Sequence, residues 1–358
     1  MNKNKKWFIF RHPGRFFLWF AGILVLLWLL FYRTSQYIEE PGTAEPLNQY
    51  VQVNHKRDHA KGSYMLTTVG VQGPATPLML AIAHFKPYDD VTSQQELMGN
   101  ENNSQYNQLQ DYYMKSSENN AIVVAYKAAH KAYTKKYLGV YVWTIMDQSN
   151  FKTVLKVGDT ITKIDGHAFK SSQAFIDYVK GKKLGTKVTI TYLRAGHTHQ
   201  ATRKLIQLPG TKRAGLGITL TDHTTVKTKI PVKVNAGSIG GPSAGMMFTL
   251  QIYSQLTNQA ALRNGQNIAG TGTIAEDGSV GQIGGIDKKV VAANREGAKV
   301  FFAPDEPATK AIKKLDPTYV NNYVTAKKTV RKLHSQMKVV PVRNFKDVIK
   351  YLQTHQTK

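Results

Sequence analysis

The chain has no cysteine, which excludes a disulfide framework, a thiol nucleophile and a cysteine-ligated zinc site. No G-x-x-x-x-G-K-[ST] string occurs, so it lacks the loop that cradles nucleotide phosphates. Zinc fingers, basic zippers and RNP-like aromatic strands are missing too, which sets nucleic acid aside as a partner. Acidic residues are few, 23 against 48 Lys plus Arg, for a formal charge of +25. Without a nucleic-acid motif, that excess suits anionic lipid or an anionic envelope polymer. No internal repeat and no low-complexity block is present.

What is present begins with an apolar run. Phe16–Tyr32, FFLWFAGILVLLWLLFY, is 17 residues without a charge. As a helix it is about 26 Å long, against a hydrocarbon core of ~30 Å. It lacks the small-x-small ending of a cleaved signal peptide, so a retained, single-pass signal-anchor is expected. Lys3, Lys5, Lys6, Arg11 and Arg15 precede it. The positive-inside rule then leaves residues 1–15 in the cytoplasm and the rest of the chain outside, at the cell membrane.

Residues 33–62, polar and containing EEPGTAEP, read as a tether. Residues 63–135 open with a strand over Ser63–Val71, continue through an Asn- and Gln-rich stretch, and end in a helix over Ala121–Tyr133. In residues 136–208 the order is strand (YLGVYV), turn, strand, short helix from Ser171, strand. This order, with the VLKVGDTITKIDG block, resembles a PDZ domain. The resemblance implies that a peptide adds as a strand beside Leu138, Gly139 and Val140, with Ala174 and Tyr178 on the groove helix.

Residues 209–358 carry SIGGPSAGMMFTL, in which Ser243 sits where a glycine-rich loop enters an apolar helix. Unpaired N–H groups at such a helix start can hold an oxyanion, with Gly241, Pro242 and Ala244 as the surrounding loop. Small neighbours are expected so that a substrate carbonyl can approach. A plain helix-capping serine is the competing reading. The string also fits the G-x-S-x-G elbow of α/β-hydrolases. That elbow needs a later histidine, and only His334 and His355 follow, both in polar surroundings. A lysine is the better activator. Within GGIDKKVVAANREGA, Asp287 reads as the N-cap of a short helix ending at Gly297. A first-turn lysine faces the positive end of the helix dipole and, if buried, loses hydration, so its neutral amine is favoured. The residues alone do not choose between Lys288 and Lys289.

GGPSAG, GTGTI, IGGIDKKVVAA and GAKVFFAPDE, in this order, resemble the proteolytic domain of Lon peptidases. The resemblance implies a Ser–Lys dyad, with Ser243 as nucleophile and Lys289 as base. It makes Thr271 the hydroxyl that supports the lysine and turns Lys288 to solvent. Gly240 stands where many Lon enzymes carry an acid. Together the segments resemble the exported, PDZ-containing Lon-like serine proteases of Gram-positive bacteria, some of which trim peptide pheromones.

The expected architecture is therefore α+β: an N-terminal transmembrane helix, a PDZ-like β-rich domain and a Lon-type proteolytic α/β domain. The expected activity is ATP-independent endopeptidase cleavage of peptides or unfolded proteins, with no cofactor and no metal. Homo-oligomer formation is left open. The rival expectation is a non-catalytic surface adaptor that binds peptide ends through the PDZ-like unit.

Overall fold

A computed structural model describes residues 13–99 and 101–355. The first twelve residues, with Lys3, Lys5, Lys6 and Arg11, lie outside the described residues. Helix α1 (Pro13–Phe31) covers most of the expected span, and its apolar side chains from Phe16 to Phe31 are largely exposed. Among the described residues no helix is long and apolar enough to cross a membrane.

The expected tether is instead part of the main sheet. β1 (Gln36–Pro46) contains EEPGTAEP and is followed by β2 (Val51–Val53) and β3 (Ser63–Gln72). β1 pairs antiparallel with β3 along its length, with a bulge between Pro41 and Ala44. That bulge lets a strand accept Pro41 and Gly42, residues that otherwise argue for a loop. Next come α2 (Pro77–Phe85), β4 (Asp90–Ser93), α3 (Gln94–Met98) and α4 (Asn103–Ala128). α4 starts 18 residues before the expected Ala121, behind a capping box between Asn102 and Gln105. It ends before Tyr133, which opens a strand.

Residues 133–228 form a second unit. Its elements are β5 (Tyr133–Ile145), β6 (Thr160–Ile164), β7 (His167–Ala168), α5 (Ser172–Lys180), β8 (Lys187–Arg194) and β9 (His197–Lys204). β10 (Ile206–Gln207), β11 (Ala214–Gly215) and β12 (Ile218–Thr228) complete it. The sheet order is β12-β5-β6-β8-β9. Val140, Val142, Phe151, Ile161, Phe175, Val188 and Ile190 form its separate core.

The chain then returns to the first unit through β13 (Val232–Val234), α6 (Gly245–Leu256), β14 (Asn267–Gly270), β15 (Thr273–Ile274) and β16 (Val280–Gly281). α7 (Ile286–Arg295), β17 (Val300–Pro304), α8 (Lys310–Leu315), α9 (Asn322–Lys332), β18 (Lys338–Val342) and α10 (Phe345–Thr354) follow. The main sheet runs β18-β17-β14-β3-β1-β4, parallel from β18 to β3 and antiparallel beyond.

Strand alternation sends its side chains into two cores. Val300 and Phe302 join the core of α6, α4 and α10, while Phe301 and Ala303 join that of α7 and α9. Residues 36–128 thus share sheet and core with 229–355, and the β5–β12 unit is inserted between them.

Candidate functional site

The paired stretch of β3 and β14 ends at Met65 opposite Ala269. β14 ends at Gly270, whose carbonyl accepts from Thr67 Oγ1 at 3.3 Å, while β3 continues to Gln72, which leaves a gap beside β3. α7 approaches this gap from one face of the sheet and the loop before α6 from the other. There Lys289 Nζ lies 2.8 Å from Ser243 Oγ and donates to the Thr67 carbonyl at 3.0 Å. Lys289 is only 4% exposed, and burial lowers its pKa to about 8. Only one of its hydrogens is spent on the Thr67 carbonyl, so a neutral amine here is placed to take the serine's proton. Both residues line a cleft of ≈ 620 Å³ walled by β1, β3, α4 and the serine loop.

The capping alternative for Ser243 fails on geometry. α6 begins at Gly245 with Ala244 as its N-cap and no side-chain cap. The Ser243 hydroxyl is engaged with Lys289 instead. α7 likewise begins differently from expectation: its N-cap is Gly285, in the left-handed region at φ 63°, and Asp287 falls inside the first turn.

Two neighbours of the pair differ from expectation. Lys288 does not face solvent. It is 2% exposed and forms an ion pair with Asp90, with the Asp287 carboxylate 3.8 Å from its amine. β4 supplies the carboxylate that meets it, in a stretch where the sequence pattern announces no strand. Thr271 donates its hydroxyl to the Ser243 carbonyl at 3.0 Å rather than to the lysine amine. The oxygen that holds the lysine is the Thr67 carbonyl, a backbone group with no sequence signature.

The glycines around Ser243 also have a cause that lies outside the loop. A Cβ on Gly240 would press into Gln110, and one on Gly245 would collide with Ser117 and Ile274. Gln110 and Ser117 both belong to α4, so the small residues admit a helix as much as a substrate. Gly241 adopts φ +86° and spends its N–H on the Gln110 carbonyl at 3.0 Å. Pro242 has no N–H to offer.

In the inserted unit the expected groove strand lies inside the sheet. Val140 pairs with Asp222 on one side and Ile161 on the other, and Gly139 faces His223. Gly139, at φ 151°, has the Ile161 carbonyl where a Cβ would be. Leu138 falls at a bulge between these pairings. β12, which follows Gly215-Leu216-Gly217, is an edge strand with no further strand beside it among the described residues, and Tyr112 and Asn119 of α4 donate to its Asp222 and Thr224 carbonyls. Beside it, the Ser172 N–H at the start of α5 donates to Asp222 Oδ1 at 2.7 Å. Ala174 is exposed on α5, but Tyr178 turns to Phe169 and donates to Asp165 at 3.2 Å. Leu216-Gly217-Ile218 repeats the pattern of Leu138-Gly139-Val140, a signal available in the sequence that the first triplet obscured.

Comparison with known proteins sets the boundary inside the inserted unit, so that β11 and β12 fall to the second match and residues 36–127 to neither. Residues 128–205 match the PDZ domain family, and residues 207–354 match the Lon protease (S16) C-terminal proteolytic domain. Among curated proteins, the Lon protease of Citrifermentans bemidjiense is 32% identical over 160 residues, 43% of this chain and 19% of its own length. That of Buchnera aphidicola is 26% identical over 217 residues, 60% of this chain and 25% of its own. The chain thus spans a quarter or less of these relatives. The solved PDZ domain of an SdrC-like protein from Listeria monocytogenes is 47% identical, covering 24% of this chain and 90% of that one, at a TM-score of 0.23. The chain therefore joins a PDZ domain to a Lon-type C-terminal proteolytic domain, and its likeness is to serine peptidases.

Proposed function

We propose that this chain is a serine endopeptidase that works without nucleotide through Ser243 and Lys289. The observation that carries the reading is the 2.8 Å approach of a buried, depressed-pKa lysine to a serine in an open cleft. Neutral Lys289 accepts the Ser243 proton as Oγ attacks the peptide carbonyl. The ammonium then protonates the leaving amine, and water activated by the same lysine hydrolyses the ester. Thr67 holds the lysine and Thr271 holds the serine's backbone. Peptides or unfolded proteins are the substrates, with the inserted unit selecting them at the β12 edge beside α5.

The protease works at a membrane surface, with α1 as its anchor and the cleft on the outer side. Support comes from the exposed apolar side chains of α1, for which lipid would be a cover, and from the basic residues ahead of them. The adaptor reading has less support, because an adaptor has no need of a desolvated lysine with a lowered pKa held against a serine.

The test uses the full chain in detergent with an unfolded protein substrate and no nucleotide. Cleavage by the wild type that Ser243→Ala and Lys289→Ala both abolish is the expected result. Cleavage unchanged in both variants would overturn the dyad. Partition of the chain into membranes that survives high salt is expected of the anchor; release by salt would point to charge alone.

A further inference from the structure

We infer that Ser117, in the middle of α4, is a positioning residue that aims the Ser243 N–H, one of the two free donors of the serine loop, for binding a substrate oxyanion. The inference rests on the dyad reading above and deepens it.

A trans peptide points its carbonyl and the following N–H in opposite directions. Whatever pins a carbonyl therefore also aims the next N–H. The Pro242 carbonyl accepts from Ser117 Oγ at 3.0 Å and from the Gly245 N–H at 3.2 Å. That turns the Ser243 N–H away from α4. The Ser243 carbonyl accepts from the Gly272 N–H at 2.8 Å and from Thr271 Oγ1 at 3.0 Å. This pins the second peptide and aims the Ala244 N–H. Among the described residues neither the Ser243 nor the Ala244 N–H has a hydrogen-bond partner. The Gly241 N–H, spent on Gln110, is not available to substrate.

Two successive peptides are thus held by their carbonyls, with adjacent donors left free beside the nucleophile. Such preorganisation is what stabilises a tetrahedral oxyanion. Ser117 is the only side chain from outside the α6–α7 segment that holds either carbonyl among the described residues. It is 4% exposed, and its Oγ occupies the space that a Cβ on Gly245 would need. Loop and helix are therefore fitted to each other, and the hydroxyl cannot be replaced by water without a shift.

The experiment compares wild type, Ser117→Ala, Ser117→Thr and Ser243→Ala on one peptide substrate, and measures inhibition by a peptide boronate, whose adduct mimics the tetrahedral state. Ser117→Ala is expected to lower kcat roughly 10- to 100-fold with KM within about twofold. Boronate affinity should fall in parallel with kcat/KM, while binding of uncleaved peptide to the Ser243→Ala background stays the same with and without Ser117→Ala. Ser117→Thr, which keeps the hydroxyl, should recover most of the rate. If Ser117→Ala does not fold, Ser117→Cys, which keeps the contact but donates weakly, carries the same expectation. Cleavage that depends on Ser243 but is unchanged in Ser117→Ala overturns this inference alone. A fall in kcat with boronate affinity unchanged also overturns it. Cleavage indifferent to Ser243 removes the dyad reading, and this inference with it.

Discussion

Lys288 and Lys289 are neighbours in one helical turn and both are buried, yet they face opposite surroundings. On the Lys288 side stand carboxylates, Asp90 in an ion pair and Asp287 nearby. Among the described residues the hydrogen-bond partners of Lys289 are both neutral oxygens, the Ser243 hydroxyl and the Thr67 carbonyl. Burial alone therefore does not make a base. A desolvated ammonium beside a carboxylate is compensated, whereas one beside neutral oxygens is driven to lose its proton. The difference comes from β3 and β4, consecutive strands whose contacts reach across 222 and 198 residues of chain to the same helix.

The strongest way to break the comparison is to remove the uncompensated amine. Lys289→Met should lower kcat/KM by about 10⁴-fold or more, since the residues of such a unit fail together. It should also make the protein more stable. The folded pKa, about 8, lies below the ordinary 10.5. Between those values the unfolded chain binds more protons, so the stability from this group rises with pH across that window. At pH 7 the wild type carries the full penalty, on the order of 3 kcal/mol, which methionine removes. Chemical denaturation at pH 7 checks it; a variant less stable than wild type would show that the amine is not desolvated.

Next in size is the pH dependence of cleavage. The base must be neutral, so kcat/KM should fall about tenfold per pH unit below pH 8 and level off above it. A limb near 10.5 instead would mean that Lys289 behaves as an ordinary surface lysine.

The partner lysine should respond asymmetrically. Asp90→Asn leaves the buried Lys288 without its close carboxylate, and a loss of about 2 kcal/mol is expected. Lys288→Met leaves Asp90, whose side chain is 65% exposed, free to meet water, so the loss should be about 1 kcal/mol or less. Equal losses in thermal unfolding would mean that packing, not charge, sets the cost.

The two lysines also mark how far local sequence reaches. The serine loop, the α7 helix and the strand over Ser63–Val71 were legible because each is written in contiguous residues. Between the lysines the sequence offered dipole and desolvation arguments that apply equally to both. What separates them is non-local: the carbonyl of Thr67 and the carboxylate of Asp90. The same limit hid the groove strand, since two similar triplets compete and strand neighbours are chosen across the fold. It hid the first half of α4 as well. Asn103–Asn120 is too polar to announce a buried face, yet Gln110, Ser117 and Tyr112 reach the serine loop and the inserted unit by hydrogen bonds.

The smallest expected effect sharpens the comparison most. Glu39 lines the same cleft as Ser243 and Lys289. Its pKa is raised by desolvation, an effect that the charge of Lys288 opposes and those of Asp90 and Asp287 reinforce. It is thus electrostatically tied to the Lys288 side, while the low pKa of Lys289 has burial as its cause. Glu39→Gln should leave the limb near pH 8 in place and change kcat/KM by no more than about twofold. A limb displaced toward lower pH would mean that the Glu39 carboxylate had been holding a proton on Lys289. The two lysines would then share one electrostatic environment, and the contrast between compensated and uncompensated burial would fail. An unmoved limb, measured with Asp90→Asn alongside as the control that disturbs Lys288, would locate the cause of the depressed pKa in the dry contact between α7 and β3.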